Sequence, residues 1–182
     1  MKKYSIHSFG KFIFWCVIAM IVIVLDDLAK TWVDITLWSR PAHEQITPLS
    51  WGPYFNLVQV CNPGAAFSFL ANAGGWQRTF FTAVGIVAAI ILTWMLIRDR
   101  HHPLRCTAWA LLLGGAVSNL IDRMTIGCVV DFLDFHIGTW HWPAFNLADS
   151  AITLGVILLL VDEWRRAKTA RQNHPKINNK NA

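Results

Sequence analysis

Apolar residues along this chain gather into four blocks, at about 12–37, 79–97, 106–121 and 144–161, each flanked by charged or polar positions. Each block is roughly the length an α-helix needs to cross a ~30 Å hydrocarbon layer, so the pattern predicts four transmembrane helices. Between the third and fourth blocks, the run from Gly127 to Phe135 is rich in β-branched and aromatic residues and reads as extended. The expected fold is an all-α membrane protein in which residues 1–167 form one membrane domain. The polar stretch 168–182 has nothing to bury and is expected to be a disordered tail.

Composition agrees, with 54% apolar residues, 15% charged residues and ten tryptophans in 182 positions. Lipid, not water, is the expected solvent for the helices. The sixteen Lys and Arg residues are sorted by side: twelve lie near the N-terminus, in the turn after the second block, or in the tail. Lys30, Arg40, Arg78 and Arg123 are the remaining four. This positive-inside bias places both termini in the cytoplasm and segments 38–78 and 122–143 outside. Tryptophans mark the two interfaces: Trp15, Trp94, Trp109 and Trp164 fall near inner ends, and Trp32, Trp38, Trp76, Trp140 and Trp142 near outer ends, with Trp51 in neither belt. The first block runs on through Asp26, Asp27 and Lys30 without a small-residue cleavage pattern, so it reads as a retained helix. The net charge of +5 fits anchoring against anionic membrane lipids. Nucleic-acid binding is the weaker reading, because the basic residues lack a folded platform with aromatics on which bases could stack.

Asp149 is the misfit, a carboxylate inside an otherwise uncharged stretch from Trp142 to Val161. An ionisable group at membrane depth is costly, which makes it a functional candidate whose partner has to be found. At 1.5 Å rise per residue, Asp26 lies about 22 Å from Lys11, Asn119 about 21 Å from Arg105, and Asp149 about 20 Å from Asp162. Three helices thus bring polar groups to one level in the outer half of the bilayer. Helical spacing puts Asp26 with Lys30, Asn119 with Arg123, and Asn146 with Asp149 on shared faces that can point into a bundle. The plainer reading is that such groups merely tie helices together.

The best partner for Asp149 is Asp131, in the extended run on the outer side. Two carboxylates close together in a poorly solvated site cannot both ionise, so they share a proton and divide the roles of acid and base. That pair can activate water against an amide carbonyl with no metal and no cofactor. Asp134, three residues on in an extended run, would face the opposite side. The seven histidines show no metal-ligand spacing on a helix. Cys16 and Cys106 read as packing residues, whereas Cys61 and Cys128 both lie outside, where pairing is open to them but their separation is not fixed by sequence. The competing function is an ion- or proton-coupled transporter; the lack of an internal repeat and a polar layer away from the midplane argue against it.

Five blocks of residues carry a resemblance: Asp26 to Lys30, Asn62 to Ser68 (Asn-Pro-Gly-Ala-Ala-Phe-Ser), Gly114 to Arg123, Val129 to Phe132, and Phe145 to Asp149 (Phe-Asn-Leu-Ala-Asp). In this order they resemble the motif blocks of bacterial lipoprotein signal peptidase, or signal peptidase II. The resemblance implies an aspartic endopeptidase of the bacterial inner membrane that cleaves diacylglyceryl-modified prolipoproteins before the lipidated cysteine. It puts Asp131 and Asp149 on the catalytic positions, and Asn62, Asn119, Arg123, Asn146, Asp26 and Lys30 on substrate-binding or supporting positions, and Gly64, Ala65 and Ala66 would then allow close backbone approach to the substrate. It also implies a small extracytoplasmic β-rich platform, in segment 38–78, and susceptibility to cyclic peptide inhibitors such as globomycin. The chain departs from the usual family pattern in having Asp27 where Gln is common, Pro63 where Thr is frequent, and Ser118 where Gly is usual.

Overall fold

The structure, a computed structural model, describes residues 6–40, 48–64 and 74–173. The described elements run α1 (Ile6–Trp38), β1 (Leu49–Ser50), β2 (Phe55–Asn62), α2 (Trp76–Arg98), α3 (Pro103–Thr125), β3 (Val129–Ile137), β4 (Trp140–His141) and α4 (Leu147–Asn173). All four expected helices form, each longer than its apolar block, because polar end turns can leave the hydrocarbon while keeping their backbone bonds. Three of them, Gly10–Trp38, Trp76–Arg98 and Pro103–Thr125, are long and apolar enough to cross a membrane. Length and apolarity alone do not mark α4 as a span, since Asp149, Asp162 and Glu163 lie within it. It continues as helix through Asn173, so Lys168 to Asn173 are not the coil expected of the tail. The rest of the tail lies outside the described residues.

Helix α3 sits at the centre and packs on α1, α2 and α4. Adjacent glycines permit this. A Cβ on Gly114 would lie 2.7 Å from the Ala19 carbonyl oxygen of α1, and one on Gly115 would strike the Ala148 carbonyl oxygen of α4. Backbones in contact across two faces of one helix leave no room for side chains, which is how small residues drive helix packing in lipid.

Burial is inverted relative to a water-soluble bundle. Ile90 is 65% exposed and Leu28 58%, whereas Asp26 and Asn146 are fully buried. The apolar faces of α1 and α2 suit acyl chains, and the polar side chains turn inward to find partners. Near the other end of the bundle, Arg105 of α3 donates to Asp162 of α4 at 2.6 Å and Trp109 donates to Asp99 at 3.0 Å, joining α4 to the α2–α3 turn.

The β structure is a four-stranded antiparallel sheet in the order β1-β2-β3-β4. It is not confined to segment 38–78, because its longest strand, β3, and its last come from 122–143. The two segments are complementary: the extended run around Asp131 needs a neighbour for its backbone groups, and β2 supplies it in a register that sets Asn62 opposite Val129 and Val60 opposite Asp131. A disulfide between Cys61 and Cys128, with Cα atoms 5.5 Å apart, pins the ends of these strands. Val33 and Leu37 of α1 pack with Leu57 and Phe132, fixing the sheet onto the bundle. Trp51, assigned to neither belt from sequence, packs at a tilt with its ring centroid 5.7 Å from that of Trp32 and so joins the group of residues expected at the outer end.

Candidate active site

Asp131 projects from β3 and is 2% exposed. Each carboxylate oxygen accepts from an amide: Oδ2 from Asn62 Nδ2 at 3.0 Å, and Oδ1 from Asn146 Nδ2 at 2.9 Å. Burial pushes its pKa up; the Asn62 hydrogen bond opposes this, the nearby Asp149 charge adds to it, and the result is about 7 against an ordinary 3.8. Asp134, on the same strand, has a different set of neighbours. It accepts from Asn56 Nδ2 at 2.9 Å and contacts His141 Nδ1 at 2.9 Å. Burial raises its pKa, but the bonds from Asn56 and His141 outweigh that and hold it below the usual value. The alternation of side chains along a strand separates the two, as the sequence reading expects.

Asp149 lies in the first turn of α4. Its backbone N–H donates to Asn146 Oδ1 at 2.8 Å, and its own Oδ2 accepts from the Asn146 backbone N–H at 3.4 Å. This is a reciprocal capping arrangement, with Asn146 as the N-cap and Asp149 three residues in. Asn146 therefore precedes the helix and is not, as the spacing suggested, a helical residue sharing a face with Asp149. Asparagine satisfies orphan N–H groups better outside a helix than in it.

Capping leaves the Asn146 amide nitrogen free to reach elsewhere, and it contacts Asp131 Oδ1 as well as Asn119 Oδ1 at 3.2 Å and the Val130 carbonyl at 3.2 Å. Asn119 in turn donates to Asp149 Oδ1 at 2.8 Å. One fully buried asparagine thus touches both carboxylates, and α3, β3 and α4 converge on it. Arg123 donates to the Asn119 carbonyl at 3.1 Å and, through its other nitrogen, to the Gly64 carbonyl at 3.0 Å. Gly64 N–H donates to Asn62 Oδ1 at 3.0 Å, so the chain beyond β2 is tied to the same network. Ala65 and Ala66, expected to allow close approach of a substrate backbone, lie outside the described residues.

Both aspartates line a cavity of about 600 Å³. Asn62, Asn119 and Arg123 supply its polar end, while Leu154 and Ile157 continue it along α4 as an apolar wall. Such a space accepts a polar reacting group at one end and a hydrocarbon portion along the other.

Asp26 and Lys30 form a buried ion pair behind this cavity. Sequence reasoning overlooked their third member, Asp122, whose Oδ2 lies 2.6 Å from Lys30 Nζ. A signal was present: Asp122 is an acidic residue in an apolar helix, three positions after Asn119, and Lys30 and Asp26 alone left it unexplained. Ser118, noted as a departure from glycine, donates its hydroxyl to Asp26 Oδ2 at 2.7 Å.

The sequence profile described as Signal peptidase (SPase) II matches residues 18–165 of the chain. A lipoprotein signal peptidase of Paraburkholderia phytofirmans is 54% identical over 157 residues, covering 86% of this chain and 88% of that protein. That of Burkholderia thailandensis is 51% identical over 170 residues, covering 93% and 99%. Among solved structures, a bacterial membrane enzyme determined by the in meso method at 2.3 Å superposes with a TM-score of 0.72 at 31% identity, covering 85% of this chain and 90% of that one. The chain belongs to the signal peptidase II family.

Proposed function

We infer that this protein is a membrane-embedded aspartic endopeptidase that removes the signal peptide from diacylglyceryl-modified prolipoproteins, with Asp131 and Asp149 as its catalytic pair. Family membership supports the peptidase activity and leaves the transporter alternative without support. The observation that carries the residue assignment is Asn146: its side-chain amide donates to the Asp131 carboxylate and its backbone N–H to the Asp149 carboxylate, and both carboxylates line one cavity.

In this reading the raised pKa of Asp131 keeps a proton on the pair near neutral pH, so one member takes a proton from water while the other gives one to the scissile amide. Asn62, Asn119 and Asn146 hold the carboxylates through amides that carry no charge and leave the proton mobile. Arg123, anchored on the Gly64 and Asn119 carbonyls, is placed to hold a substrate carbonyl. The apolar wall of α4 takes acyl chain or signal helix entering from the bilayer. The distribution of Lys and Arg supports four spans, α4 being the last, with cytoplasmic termini and an outward-facing sheet, and the family supports a bacterial inner membrane. A cyclic peptide inhibitor such as globomycin would compete for the same cavity.

The test is cleavage of a purified diacylglyceryl-modified precursor in detergent or liposomes. Asp131→Asn and Asp149→Asn are each expected to remain folded and to lose turnover by about 10³-fold or more, within the range seen when a general acid or base is removed. Full turnover in either variant eliminates the pair.

A further inference from the structure

We propose that Lys30, Asp26 and Asp122 form a positioning triad that sets the placement of the two proposed catalytic carboxylates by gripping the backbone of the residue before each. The proposal rests on the reading of Asp131 and Asp149 above. Lys30 Nζ lies 2.5 Å from Asp26 Oδ2 and 2.6 Å from Asp122 Oδ2, and all three residues are buried.

Each aspartate reaches past the lysine. Asp26 Oδ1 accepts the backbone N–H of Ala148 at 2.9 Å, and Asp122 Oδ2 accepts the backbone N–H of Val130 at 3.1 Å. Ala148 immediately precedes Asp149, and Val130 immediately precedes Asp131. One cation on α1 therefore couples two symmetric grips, one on the start of α4 and one on β3.

An ion pair that merely joined α1 to α3 would need neither bond. Each grip also answers a backbone need of its own. Ala148 is in the first turn of α4, whose N–H groups have no partner within the helix, and a carboxylate is favoured there by the helix dipole. Consecutive Cα atoms are about 3.8 Å apart, so fixing one peptide N–H fixes the origin of the next side chain closely. Ser118 adds a second donor to Asp26 Oδ2 and holds that carboxylate in the orientation the grip requires.

Asp122 gives the cleanest test, because its contacts with Lys30 and with Val130 N–H use the same oxygen. Asp122→Asn preserves an acceptor for Val130 N–H and for Lys30, whereas Asp122→Leu removes it. In the full chain, cleaving a diacylglyceryl-modified precursor peptide, Asp122→Asn should keep at least about a tenth of wild-type kcat and Asp122→Leu should lose about 100-fold, the effect expected of an ångström-scale misplacement, with KM within about threefold in both. Equal losses in the two variants, or a loss carried by KM, overturn the triad. If Asp122→Leu fails to fold, Asp122→Asn decides alone: a fall in kcat as deep as that of Asp131→Asn overturns the proposal. Run beside these, Asp131→Asn and Asp149→Asn separate the two ideas, since turnover surviving in either removes the catalytic reading and the triad with it, whereas their inactivity with equal Asp122 losses removes the triad alone.

Discussion

Two pairs of aspartates meet in this protein, all buried but the half-buried Asp149, and they are held in opposite ways. Asp26 and Asp122 share a lysine, while Asp131 and Asp149 are held by the amides of Asn62, Asn119 and Asn146. Burying a carboxylate is costly unless it is paired and hydrogen-bonded, and a cation is the strongest remedy. A carboxylate tied to a cation makes a firm support but a poor proton shuttle. Amides hold a carboxylate in place without compelling it to stay charged. The contrast explains why a single lysine serves the pair behind the cavity while, among the described residues, the pair facing it has none in direct contact.

Activity gives the largest contrast. The loss of about 10³-fold expected for Asp131→Asn and Asp149→Asn exceeds the loss of up to about tenfold expected for Asp122→Asn, although all three changes replace one carboxyl group by an amide of the same shape. Stability should run the other way. Lys30→Met leaves two buried carboxylates without their cation and should cost about 3–5 kcal/mol, read from thermal unfolding in detergent, whereas Asp131→Asn removes a carboxyl group whose ionisation folding disfavours and should not destabilise. A stable, active Lys30→Met protein would erase the distinction between the two pairs.

The pH dependence sharpens it. Asp131 has a folded pKa raised to about 7, so between the unfolded value near 3.8 and about 7 the native state binds more protons than the unfolded state. Stability therefore falls as pH rises through that window, and Asp131→Asn should flatten the fall. In turnover, kcat/KM should decline as pH rises through about 7 and the proton leaves the pair, with a second limb on the acid side. A flat profile across this range would contradict the shared proton.

Asp134 supplies the smallest effect. It lies on the same strand as Asp131, but its pKa is shifted down, so it contributes stability that is lost as pH falls through its depressed value. Asp134→Asn should retain more than about a third of the activity and cost about 1 kcal/mol through weakened bonds to Asn56 and His141.

Much of this arrangement was legible in the sequence. Four apolar blocks announce four helices, because a backbone in lipid must satisfy itself internally. Asp149 stands out because charge is rare in such a block, and the rise of a helix places Asp26, Asn119 and Asp149 at one level before any packing is known. The alternation of a strand already separates Asp131 from Asp134. These are local properties, readable from spacing alone.

What tertiary structure decided is which groups meet. Asn146 reads as a helical neighbour of Asp149 until its amide is seen bonded to Asp131 on a different element. Asp122 looks like one more residue in a motif until Lys30, 92 positions away, is found against it. The pairing of β2 with β3, closed by Cys61 and Cys128, joins segments separated by a pair of helices, and no periodicity records that distance. Sequence sets the period and cost of each polar group along its own element; the partner that offsets the cost comes from elsewhere in the chain, and only folding brings it within hydrogen-bond reach.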